Sequence, residues 1–265
     1  MVITASLAHG AVREAVRLNI AKVEAMWDAQ MRSPIMAPAT HRRFDEWFRL
    51  QRRIFEQAAL LIVFGKIGRR RGAFSAFIPS FQETDGIWEL DIEQISVQFS
   101  PGRLERMDIE PLAVSVSGHA LERMFQRTES IEWPVIRDCL AGATLFLNAG
   151  IAAYRAMGCR QCAIPAGTGL LLGQVIEDRL ALRTFVPGHE LQPRYRTLMS
   201  DLDQFMTRHH EAVEASALTP DPQAATVLQE LLSRGPHKWM MEPYTPGVDP
   251  RDKAWDSRIR APSTS

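Results

Sequence analysis

Leu112-Ala113-Val114-Ser115-Val116-Ser117-Gly118-His119-Ala120-Leu121-Glu122-Arg123-Met124-Phe125-Gln126-Arg127 changes period half-way along, and that change sets the fold class. Pro111 opens a short β-branched run, Leu112–Val116, that reads as a strand. Ser117 then sits where an N-cap belongs, because its hydroxyl can accept from an orphan amide of the first helical turn. In the helix that follows, His119, Arg123 and Arg127 fall four apart and span only about 80° of the helix surface. Leu121, Met124 and Phe125 fall on roughly the opposite side. A strand running straight into an amphipathic helix places sheet and helix in one packed unit.

Towards the N-terminus, Leu60–Lys66 and Ala73–Ile78 flank the basic turn Arg69-Arg70-Arg71-Gly72 and suit a hairpin. Ile87–Phe99 alternates Trp88, Leu90, Ile92 against Ile87, Glu89, Asp91 and gives one or two more strands, ended by Pro101-Gly102. Before them, residues 12–30 carry the helical stripe Val12, Val16, Ile20, Val23, Trp27, and a second helix is expected over 40–58. Towards the C-terminus a helix is expected over 133–143, with Pro134 in its first turn, while 144–157 reads as helix or strand. Strands follow at 162–165, 170–177 and 180–186, then helices over 193–217 and 222–233. The chain from Gly235 is rich in proline and mixed charge without periodicity, which predicts an extended or disordered tail.

The fold class expected from this order is α+β: a small antiparallel sheet with packed helices, flanked by N- and C-terminal helical segments. The segments are 1–58 (helical), 59–187 (α+β core), 188–234 (helical) and 235–265 (tail).

With 265 residues, 46% of them hydrophobic, the chain can bury a substantial core. Lys+Arg and Asp+Glu both number 31, so nucleic-acid or acidic-membrane binding would need a local patch. The longest apolar run, Ala58–Phe64, is far below membrane-spanning length, and no secretory signal is evident. Three cysteines do not make a disulfide framework, and a cytoplasmic location is expected. No Ser-His-Asp order, HExxH, EF-hand loop or kinase-type set occurs.

The candidate site is the helix face His119/Arg123/Arg127. Guanidiniums hold phosphate oxygens bidentately, and an imidazole moves protons near neutral pH. His119 also lies in the first turn, where free amides favour an anion. The stretch Ser117–Arg127, preceded by a strand, resembles the Ser-x-His-Ala-x-x-Arg-x-x-x-Arg opening of a widespread bacterial family of unknown function. That family is grouped with the barnase–EndoU–colicin–RelE-like (BECR) ribonucleases and toxins. The resemblance extends over residues 111–187, with Trp133–Ala143 as second helix, Ala163–Val175 in the sheet and Leu182-Arg183-Thr184-Phe185-Val186 as last strand.

The resemblance implies metal-independent RNA cleavage without a cofactor. His119 would be general acid or base, Arg123 and Arg127 would hold the scissile phosphate, and Thr184 would add a hydroxyl hydrogen bond. Alternation along the last strand also places Thr184 with Leu180, Leu182 and Val186, as a core threonine would be. Within 111–187 arginines only slightly outnumber acidic residues, and aromatic rings for stacking bases are few. That charge balance supports the alternative, a non-catalytic binding or regulatory protein using the same fold as a scaffold. The partners expected are RNA or another phosphate-bearing ligand, and a protein docking through the tail with Trp239, Tyr244 and Trp255; no membrane partner is expected.

Cys159-Arg160-Gln161-Cys162 runs into a strand rather than opening a helix, so buried, unreactive thiols are the expectation over a zinc or redox pair. Ala166-Gly167-Thr168-Gly169 reads as a hairpin turn, lacking the Lys-Ser/Thr and helix of a phosphate loop. Arg42, Arg43, Arg49, Arg52, Arg53 and Arg69–Arg71 form the strongest basic cluster.

Overall fold

The computed structural model describes residues 5–31, 49, 56, 59–66, 72–100, 103–128, 132–218 and 222–242. Helix α1 (Ala5–Met31) leads into a meander of four strands: β1 (Leu61–Lys66), β2 (Gly72–Thr84), β3 (Ile87–Ser100) and β4 (Arg103–Ser117). Two helices follow, α2 (Gly118–Arg127) and α3 (Trp133–Ala156), and then a second meander, β5 (Gln161–Ala166), β6 (Gly169–Ile176) and β7 (Arg179–Pro187). Helices α4 (Pro193–Arg208), α5 (His210–Leu218) and α6 (Pro222–Leu232) and a 3-10 helix (Gly235–Met241) complete the described chain.

The seven strands form one sheet in the order β1-β2-β3-β4-β7-β6-β5. It is mixed and strongly curled into a half-barrel. The expectation of a small antiparallel sheet is therefore corrected. The two meanders are antiparallel inside, but β4 and β7 pair in parallel through Val114–Leu180, Ser115–Ala181 and Val116–Leu182. The reason is connectivity: β4 exits into two helices, and the second meander returns with its last strand beside β4 rather than its first.

Turn chemistry fits the hairpins whose turns lie among the described residues. Asp85-Gly86 and Glu177-Asp178 both have positive φ at their two central positions, the twist that suits two-residue hairpins. Gly167, at φ +55°, starts the β5–β6 turn, as expected for the glycine-rich stretch.

The inner face of the sheet holds α3. Ile136, Leu140, Ala143, Leu147, Ile151 and Tyr154 keep a three- or four-residue spacing along that helix and are buried. This periodicity continues without a breaker, which is why the helix runs on to Ala156 instead of stopping at Ala143. Helix α3 is long and apolar enough to cross a membrane by composition, yet half of that apolar window is buried inside the fold. Phe77, Trp88, Leu90, Ile92, Val114 and Val116 supply the sheet side of the same core, and Val12, Val16 and Ile20 of α1 join it. A second apolar cluster, Phe74, Ala76, Ile95 and Val97, lies on the other face.

Strand β4 is longer than the sequence suggests. It spans Pro111, which stands at a register break: Asp91 pairs with Ser115 and Glu93 with Pro111, so β4 spends four residues against two of β3. Proline cannot donate to the ladder, and the irregularity accommodates it. The single helix expected over 193–217 is two, α4 and α5, with the break at His209. The tail is corrected in its first part: Gly235–Met241 is a docked 3-10 helix with His237 and Met240 buried. The expected helix over 40–58 lies outside the described residues except for Arg49 and Glu56, both helical, and the remainder of the tail lies outside them too.

Candidate functional site

Helix α2 starts where the sequence places it. The Ser117 hydroxyl accepts from the Ala120 amide at 3.2 Å and donates to the Arg183 carbonyl at 3.1 Å, so one side chain caps the helix and ties it to β7. Gly118 comes next because a Cβ there would lie 2.3 Å from Trp88 Cε2. Ala120, Leu121, Met124 and Phe125 are buried, as the stripe requires.

The outer side carries the expected residues. His119 is exposed, and Arg123 is half-buried with its guanidinium 3.5 Å from Gln126 Oε1. Arg127 is ion-paired to Glu190, which also lies 3.6 Å from His189 Nε2. One of the two arginines assigned to phosphate is thus already neutralised. Glu122, which the sequence reading gave no role, is only 7% exposed. Its carboxyl group lies within one turn of His119 and Arg123.

Thr184 stands beside the first turn of α2, since the capping serine holds the carbonyl of the preceding residue. It is half-buried. Leu172 pairs with Thr184 and Gly173 with Leu182, so Arg183 is the extra residue of a β-bulge. The bulge breaks the alternation by which Thr184 would be a core residue. Arg183 itself reaches across the sheet to Glu89 at 2.9 Å. Burial pulls this guanidinium below its ordinary pKa, and the Glu89 carboxylate works against that shift. Arg179 pairs with Asp91 alongside. No sequence signal marked Arg183, because the bulge that aims it is not visible in residue types.

The remaining candidates resolve as structural elements. Cys159 and Cys162 are buried; burial raises the Cys159 thiol to about 11 and pushes Cys162 up further, aided by Cys159. Tyr154, wholly buried, donates to the Ala163 carbonyl at 2.5 Å and pins α3 to β5. His237 is fully buried with Nε2 2.8 Å from Asp201 Oδ2, a pair that locks the C-terminal 3-10 helix onto α4. Arg160 donates its amide to the Met240 carbonyl, and Trp239 packs edge-on to Tyr195 at 5.0 Å beneath Arg194. Trp239, expected to meet a partner, is thus docked within the fold, while Tyr244 and Trp255 lie outside the described residues. Of the basic cluster only Arg49 is described. No group of three or more His, Cys, Asp or Glu able to hold a metal occurs among the described residues.

Two of the concavities among the described residues have room for a ligand. One of about 530 Å³ lies along α4, against Arg196, Ser200, Asp203 and Arg208. The other, about 650 Å³, opens on the inner face of the half-barrel between β3, β4, α3 and the start of α6. His119, Arg123, Arg127 and Thr184 line neither. Comparison of the chain with models of known families, with curated proteins and with solved structures gave no match.

Proposed function

We propose that the chain is a non-catalytic binding protein that offers the outer side of α2 to a phosphate-bearing partner. The observation that carries this reading is the state of the two arginines. Arg127 is held by Glu190, and Arg123, half-buried beside Gln126, lines neither of the two concavities described above. Cleavage of a phosphodiester needs the phosphate enclosed and several charges converging on it. Holding one needs less: a guanidinium, first-turn amides and an imidazole suffice for an exposed contact.

A BECR-like endoribonuclease is the second reading. It is favoured by the Ser117–Arg183 hydrogen bond, which sets Thr184 level with the turn that carries His119. One experiment separates the two. Single-stranded RNA is incubated with wild type, His119→Ala and Arg123→Ala, and both retention and strand scission are followed. Salt-dependent retention without scission, weakened in Arg123→Ala, is the expected result. Scission by wild type that is abolished in His119→Ala overturns the binding reading in favour of the nuclease.

A further inference from the structure

The inner face of the sheet changes character along β3 and β4. Trp88, Leu90 and Ile92 lie buried in the core, and the same side of the strand continues as Gln94, Ser96 and Gln98. On β4, Val116 and Val114 give way to Leu112, Glu110, Asp108 and Arg106. Strand register brings these polar residues together in pairs: Gln94 opposite Glu110, Ser96 opposite Asp108, Gln98 opposite Arg106. Gln94, Ser96, Gln98 and Asp108 are half-buried and Arg106 and Glu110 are exposed, so the row lines a solvent-open cleft in which the half-buried polar groups still need compensation.

Part of the compensation is internal. Gln94 donates to Ser75 Oγ at 3.1 Å and to the Ala217 carbonyl at 2.7 Å, and accepts from Asn148 at 3.1 Å. Asn148 also donates to the Ser216 carbonyl at 3.1 Å. This network fixes a rigid floor between sheet, α3 and α5. Above it stand groups with no such duty: Gln98, the Glu110 carboxylate, and the Arg106–Asp108 pair at 2.5 Å. Leu112, Ala152, Leu218 and Pro222 give the same cleft an aliphatic wall.

We infer that this cleft binds a neutral, polyhydroxylated ligand of mono- to disaccharide size. The lining mixes donors and acceptors at close spacing, which suits hydroxyl groups, because each hydroxyl both donates and accepts. Carboxylate, guanidinium and side-chain amide can each engage neighbouring hydroxyls through two atoms, while the aliphatic wall takes the C–H side of the ligand. The charged lining groups, one arginine against two carboxylates, disfavour an anion, so this site is chemically distinct from the α2 face. Its volume falls within the range of small-molecule pockets, and the mouth of a curled sheet is a recurrent place for them. The inference does not depend on the phosphate reading.

The test is calorimetric titration of the full chain with a panel of neutral sugars: glucose, galactose, mannose, N-acetylglucosamine, sucrose, trehalose and maltose. Glucose 6-phosphate and 1,5-diaminopentane serve as charged controls. Saturable binding of at least one neutral sugar is expected, with affinity falling about tenfold or more in Glu110→Gln and in Ala152→Phe. Ala152 is exposed, so a larger side chain there fills the cleft without entering the core. Circular dichroism of each variant confirms the fold, and His119→Ala should leave sugar binding unchanged. No sugar binding up to about 50 mM, binding indifferent to both cleft variants, or binding of only a charged control overturns the inference.

Discussion

Two halves of one sheet face, carried by the same strands, do opposite things. Where Trp88, Leu90, Ile92, Val114 and Val116 point inward, the half-barrel closes on α3 as a dry core. Where Gln94, Ser96, Gln98, Asp108 and Glu110 take the same direction, it opens as a cleft. The β4 irregularity at Pro111 lies between them. Strand alternation determines which residues share a face, but residue chemistry determines whether that face becomes core or site. The fold supplies a curved wall, and only part of it serves to hold the molecule together.

The comparison can be strained from its dry side first. Leu90 is fully buried, and Leu90→Ala should cost about 2–5 kcal/mol in denaturant unfolding, as large-to-small core changes do. A loss under 1 kcal/mol would mean that the core is loosely packed and the contrast overstated. On the wet side, Gln94→Leu removes the donor to the Ala217 carbonyl and one of the two acceptors of Asn148, and should cost about 1–3 kcal/mol. Were the variant as stable as wild type, the floor of the cleft would not be the fixed network described. Ser117→Ala removes the α2 cap and its link to β7, and should cost about 1 kcal/mol by the same measurement.

Raising pH probes the buried thiols of Cys159, just before β5, and Cys162 within it. The Cys159 pKa is raised by burial, so the folded state favours the protonated thiol. Its contribution to stability is complete below about pH 9 and is lost as pH climbs towards 11. The melting temperature should fall across that window, and Cys159→Ala should flatten part of the fall. The smallest effect is expected at the exposed Arg127–Glu190 pair, where Arg127→Ala should change stability by no more than about 1 kcal/mol.

Much of this architecture is legible in the residues. The hairpin over 60–78, the three strands of the second meander and α2 with its cap all follow from alternation, turn residues and a serine at the right place. Legibility ends where structure depends on partners distant in sequence. Nothing local says that β7 pairs with β4, so the two meanders look like separate small sheets. Residues 144–157 look ambiguous because alanine and glycine there are chosen for close packing, as Gly150 against Phe146 illustrates. The site was half visible. Spacing alone revealed the His119/Arg123/Arg127 face, yet the Glu190 partner of Arg127 comes from 63 positions away. Gln94 and Asn148 carried no motif at all; their significance appears only when the curl of the sheet turns them to a common cleft.

The parallel contact between β4 and β7 also bears on how the chain reaches its native state. Each meander can form from neighbouring segments, and α2 and α3 from local turns. The two β-units join through the short β4–β7 ladder of Val114–Leu180, Ser115–Ala181 and Val116–Leu182, whose closure spans both helices and two strands. Long-range pairing of this kind is paid for in chain entropy before any contact rewards it. The β4–β7 seam is therefore the expected rate-limiting event of folding. Until it closes, each half carries an unpaired strand edge through which two chains can exchange partners.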